Sequence, residues 1–103
     1  GSAVLGAYSI SKAADMQLVR NLAVEHGADN IRVNAIAPGL IQTEFARALW
    51  KNPDILKKAT SRAPLQRIGQ PDEIAGAAVY MASDAGTFLT GQTLVIDGGQ
   101  TIT

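Results

Sequence analysis

The sequence predicts an α/β protein whose strands run parallel and are joined by a helical crossover. Three observations carry this. Residues 7–26 form a run without Pro or Gly that is long enough for a helix of several turns. Residues 31–36 and 93–97 are short, apolar and bounded by turn residues, as strands are. Capped helical segments lie between these two runs, which is the order a parallel crossover produces.

The helix over 7–26 has Met16, Leu18, Val19, Leu22, Ala23 and Val24 spread over more than one stripe, so it is expected to bury two faces. Gly27 is expected to stop it and Asp29-Asn30 to turn the chain. In the strand over 31–36, Ile31, Val33 and Ala35 share one face, and Arg32 and Asn34 the other. Asn34 reads as a structural hydrogen-bonder. Ala37-Pro38-Gly39 is expected to end the strand, because Pro cannot donate to a ladder.

Thr43 is placed to cap a short helix over 44–51, and Asn52 with Pro53 to start a second over 52–61. Phe45, Leu49 and Trp50 make this pair apolar on one side. Residues 63–70 read as a loop. Pro71-Asp72-Glu73 opens a helix over 71–83, with acids at its positive end. The second strand, over 93–97, ends in the turn Asp97-Gly98-Gly99.

Composition narrows the function. Nine basic and nine acidic residues in 103 argue against nucleic acid or an anionic membrane as the main partner. With no cysteine there is no disulfide, zinc–thiolate site or cysteine nucleophile. The single His26 cannot build a histidine metal cage or the usual Ser-His-Asp triad, so no metal site is expected. No apolar run reaches membrane-spanning length and the start lacks a secretory pattern, so a cytoplasmic location is expected. Two strands make a poor sheet, and parallel strands are normally covered on both faces within a larger one. The chain therefore asks for partners it does not contain.

Tyr8 and Lys12 are four residues apart, on one helix face and one turn from each other. A free tyrosine titrates near ~10 and is a poor base at neutral pH. A nearby ammonium favours the phenolate, which makes such a pair a candidate for proton transfer. Taken alone, the same spacing is more simply read as surface packing.

The surrounding stretches carry more. Tyr8-Ser9-Ile10-Ser11-Lys12-Ala13-Ala14 resembles the Tyr-x-x-x-Lys segment of the short-chain dehydrogenases/reductases. Residues 31–39 resemble that family's strand leading into its Pro-Gly motif, and Thr43 stands at the family's usual position. Residues 67–75 and 90–99 resemble its C-terminal signatures.

The resemblance implies the C-terminal portion of a Rossmann-like, doubly wound parallel sheet, with residues 1–103 as the C-terminal half of one domain. It implies an oxidoreductase that moves a hydride between NAD or NADP and a small carbonyl or alcohol substrate. Tyr8 would be the general acid/base. Lys12 would stabilise the phenolate and hydrogen-bond the nicotinamide ribose. Pro38 and Gly39 would line the nicotinamide pocket, and the Ile41 backbone with the Thr43 hydroxyl would hold the carboxamide. Residues 44–63 would form the substrate lid, with Phe45, Leu49 and Trp50 as apolar contacts; for Phe45 and Trp50 an ordinary core role is equally open.

The resemblance also implies a homotetramer built through the 7–26 helix and through the 71–83 helix with the 93–97 strand. Other features of the family are not found here. Its Gly-rich phosphate-binding turn, catalytic asparagine and cofactor-selecting residue belong to an N-terminal half, and Ser2 is too close to Tyr8 to be its catalytic serine. The chain alone is therefore expected to bind cofactor poorly and turn over little. A non-catalytic interaction module derived from the same family is the alternative.

Overall fold

The computed structural model describes residues 3–103; Gly1 and Ser2, the serine weighed above, lie outside the described residues. The elements in chain order are α1 (Gly6–His26), β1 (Ala35–Pro38), α2 (Arg47–Trp50), α3 (Pro53–Thr60), α4 (Pro71–Ala82) and β2 (Thr93–Ile96). The strands pair in parallel, from Ala35 opposite Thr93 to Pro38 opposite Ile96, and α2 to α4 form the crossover between them.

Several local expectations are corrected. α1 does end at His26 with Gly27 as its C-cap, but Gly27 is right-handed rather than left-handed, and the chain runs on into a 3₁₀ turn over Gly27–Asp29. The left-handed residue is Asn30 (φ 60°), whose N–H donates to the Gly27 carbonyl at 3.0 Å. Asn tolerates this region better than other residues with a side chain.

The regular strand begins at Ala35, four residues later than expected at Ile31. Residues before it are pinned irregularly to the segment preceding β2. The Val33 N–H donates to Thr90 Oγ1 at 3.1 Å, Gly91 N–H to the Val33 carbonyl at 2.7 Å, and the Asn34 amide bonds Leu89 O at 2.8 Å and the Gln92 N–H at 3.1 Å. Asn34 thus has the structural role read from the sequence. Arg32 also reaches Leu89 O, on the same side as Asn34.

Pro38 closes β1 from within it. Ladder donors are Ala35, which bonds Gln92 O, and Gly39, which bonds Ile96 O, so by alternation the Pro38 nitrogen faces away from β2 and forfeits no bond to it.

Asn52 caps α3 as expected, accepting from Asp54 N and Ile55 N with Pro53 in the first turn. Thr43 instead caps the turn before α2: its carbonyl and hydroxyl both accept from Ala46 N, at 3.1 and 3.3 Å.

The core is small. Ala23, Ala63, Met81 and Thr60 are buried, and no side chain among the described residues is fully enclosed. Val19, Leu22, Ala23 and His26 form the inward stripe of α1 at helical spacing, with Ala23 against Gly91. Ile10, Leu18 and Val24 remain exposed, Val24 at 86%.

Candidate active site

Tyr8 and Lys12 meet as their spacing predicts. The Lys12 Nζ stands over the Tyr8 ring, 5.6 Å from its centroid, within the range of cation–π attraction. Tyr8 is 58% exposed, so its phenol is accessible from outside the chain. Lys12 also pairs with Asp15 at 3.2 Å, a partner one turn further along that sequence reading did not single out.

The chain lengths on either side of the reversal after α1 are similar. Ala23 of α1 lies against Gly91, which is bonded to Val33. From Ala23 back to Tyr8 the helix covers roughly 22 Å at 1.5 Å per residue. After the reversal at residues 27–30, the extended chain from Val33 to Gly39 covers about 20 Å. The two paths have nearly equal length.

That exit is tightly held. A Cβ on Gly39 would lie 2.6 Å from Asp97 Cα, so only glycine fits there. Asp97 accepts from Gly99 N at 2.9 Å and Thr101 N at 2.8 Å, which fixes the turn that follows β2, while Gly39 N–H donates to Ile96 O at 2.8 Å and joins the two strand ends. Burial pushes the Asp97 carboxyl up, but the Thr101 and Gly99 donors outweigh it and hold it below its ordinary value.

Beyond Gly39, Ile41 forms an isolated parallel bridge with Gly69. The bonds run from Gly69 N to Leu40 O (3.0 Å) and from Gln42 N to Gly69 O (2.9 Å). In that pattern the N–H and C=O of Ile41 itself point away from Gly69. Neither makes a backbone hydrogen bond among the described residues. One donor and one acceptor are therefore presented two residues from the Thr43 hydroxyl, a set complementary to a primary carboxamide.

The segment over 44–63 contains α2 and α3. Phe45 is fully exposed and Leu49 is 46% exposed, so neither is a core residue of this chain. Trp50 is half-buried, and its indole N–H donates to the Thr43 carbonyl at 2.8 Å. A cavity of about 160 Å³ beside the exit is lined by Ile41, Thr60, Ala63, Ile74, Ile96 and Asp97 among others; neither Tyr8 nor Lys12 lines it.

The start of α4 is fixed by Arg67 and Glu73, which pair through two bonds of 2.6 and 2.9 Å, while Gln70 N donates to Glu73 Oε2 at 2.8 Å. The Arg67 bonds, then the Gln70 N–H, pull the Glu73 carboxyl down to about 2. Gly69, held between this cap and Leu40, completes the bridge that orients Ile41.

These features define an open parallel α/β protein with polar groups gathered at the carboxyl end of a strand, where such sheets bind ligands. Comparison makes the class specific. The family described as Enoyl-(Acyl carrier protein) reductase matches residues 1–101. Dehydrogenase/reductase SDR family member 4 of Bos taurus is 42% identical over 95 residues, 92% of this chain and 34% of its own length. The 7alpha-hydroxysteroid dehydrogenase of Escherichia coli is 45% identical over 92 residues, 89% of this chain and 36% of its own. A 4-hydroxyisoleucine dehydrogenase complexed with NADH superposes with a TM-score of 0.90 at 39% identity, over 94% of this chain and 40% of that one.

The chain belongs to the short-chain dehydrogenase/reductase family, and its fold is part of a Rossmann-like domain. It spans about a third of the length of the curated relatives it matches.

Proposed function

We propose that this chain is the C-terminal part of an NAD(P)-dependent oxidoreductase acting on a small carbonyl or alcohol substrate. The observation that supports this reading most is the unpaired N–H and C=O of Ile41 beside the Thr43 hydroxyl at the exit of β1, in a chain that also brings Lys12 over the Tyr8 ring. Among its structural neighbours, the 4-hydroxyisoleucine dehydrogenase is complexed with NADH. A chain described as a 2-deoxy-d-gluconate 3-dehydrogenase from Agrobacterium tumefaciens carries bound NADP.

The nicotinamide, when bound, supplies or takes up the hydride. The residues of this chain do the rest. Tyr8 passes a proton to, or takes one from, the substrate oxygen. Lys12 stands beside the phenol as its catalytic partner and reaches the ribose. The Ile41 N–H and C=O, with the Thr43 hydroxyl, orient the carboxamide, while Pro38 and Gly39 form the pocket wall. Residues 44–63 cover the substrate, with Phe45 and Leu49 turned to it, and exclude water. The exposed apolar residues of α1, and those of α4 with β2, are the surfaces through which the longer protein would assemble as a homo-oligomer, a tetramer by family resemblance.

The test compares the full-length protein with the 103-residue chain, following nicotinamide absorbance with a panel of ketones, sugar-derived alcohols and 3-oxoacyl thioesters. Turnover by the full-length protein that requires NAD or NADP, and none by the chain alone, is expected. Dinucleotide affinity in the isolated chain equal to that of the full-length protein would refute the claim that it is only part of a site. Absence of any dinucleotide binding in the full-length protein would favour a non-catalytic interaction module.

A further inference from the structure

We propose that Trp50 is a positioning residue for the cofactor end of the site: its indole N–H locks the Thr43 peptide and so couples the lid to the carboxamide anchor. This rests on the reading of Thr43 given above.

The Thr43 carbonyl accepts two hydrogen bonds, from Trp50 Nε1 at 2.8 Å and from Ala46 N at 3.1 Å. A carbonyl oxygen has two lone-pair sites, so both are filled and the peptide plane cannot rotate without breaking bonds. The Thr43 hydroxyl oxygen accepts from Ala46 N at 3.3 Å, which leaves its own hydrogen free to donate outward.

The helix between them cannot do this alone. α2 is four residues long and has no side-chain cap, far below the length at which a helix holds itself. The indole bond closes a ring of chain from Thr43 to Trp50 and ties that single turn to the exit of β1. Of the three apolar lid residues, Phe45 and Leu49 face solvent, whereas Trp50 is half-buried and bonded back to the backbone. Its place is therefore in the hinge of the lid, and only Phe45 and Leu49 are free to meet substrate. A movement of α2 over the substrate carries the Thr43 peptide with it, so lid position and cofactor grip change together.

The test uses the full-length protein with Trp50→Phe, and with the indole replaced by its benzothiophene isostere, which keeps the ring and removes the N–H. Loss of one hydrogen bond predicts a rise of roughly three- to tenfold in the KM and dissociation constant for the dinucleotide in both variants, larger than any fall in kcat. A purely structural role would instead lower kcat through loss of folded protein and leave the dinucleotide KM unchanged. Wild-type dinucleotide affinity in the isostere overturns the proposal, even where Trp50→Phe is impaired, because the ring and not the N–H would then be responsible. Tyr8→Phe separates the two readings. If it leaves turnover intact, the site assignment fails; if it abolishes turnover while the isostere binds dinucleotide normally, only the role of Trp50 fails.

Discussion

Replacing Gly39 by alanine tests the geometry of the strand exit. The added Cβ would stand 2.6 Å from Asp97 Cα, 2.8 Å from its Cβ and 3.1 Å from its carbonyl oxygen. Carbon–carbon contact is comfortable only from about 3.5 Å, so close to ~1 Å must be found by moving backbone. The Gly39 N–H bond to Ile96 O, 2.8 Å long, is the first to stretch. Overpacking of this kind costs about 1–3 kcal/mol, and the weakened bond about 1 more.

In a protein the size of the relatives, that lowers Tm by roughly 4–16 °C. Because Ile41 and Thr43 follow two and four residues on, dinucleotide affinity should fall as well. Thermal unfolding followed by circular dichroism, with a parallel dinucleotide titration, reads both. Gly27→Ala is the control: Gly27 is right-handed with open space around it, and alanine there should stabilise by about 0.4–1 kcal/mol. A Gly39→Ala protein that melts within about 1 °C of wild type would refute the close-approach argument.

Other expectations follow from the same structure. Asn34→Leu removes the bonds to Leu89 O and Gln92 N and should cost roughly 1–3 kcal/mol, seen as a lower denaturant midpoint at unchanged slope. The Glu73 carboxyl lies at about 2, against an ordinary 4.5, because Arg67 and Gln70 favour its ionised form. Its contribution to stability is therefore full above about 4.5 and is lost as pH falls toward about 2. In Glu73→Gln the stability-versus-pH curve should be flatter over that window, and an identical curve would argue against the pairing.

The sequence made legible what depends on near neighbours. Tyr8 and Lys12 meet because four residues are one helical turn, and Asn52-Pro53 starts α3 because capping is local. The parallel pairing followed from the order of elements alone. Features set by distant partners were not legible. The start of β1 is decided by bonds between residues 32–34 and 89–92, which periodicity cannot see. Gly27 carried the usual stop signal, yet Asn30 took the left-handed position three residues later. Trp50 read as an apolar lid contact, because nothing in its neighbourhood announces that its N–H reaches back seven residues to Thr43.

The central claim is that Tyr8 moves the proton while residues 38–43 grip the cofactor. Tyr8→Phe in the full-length protein, measured for turnover and for dinucleotide binding on the same preparation, tests it most directly. A fall in kcat of roughly a hundredfold to ten-thousandfold is expected, with the dinucleotide dissociation constant little changed. Undiminished turnover would contradict it.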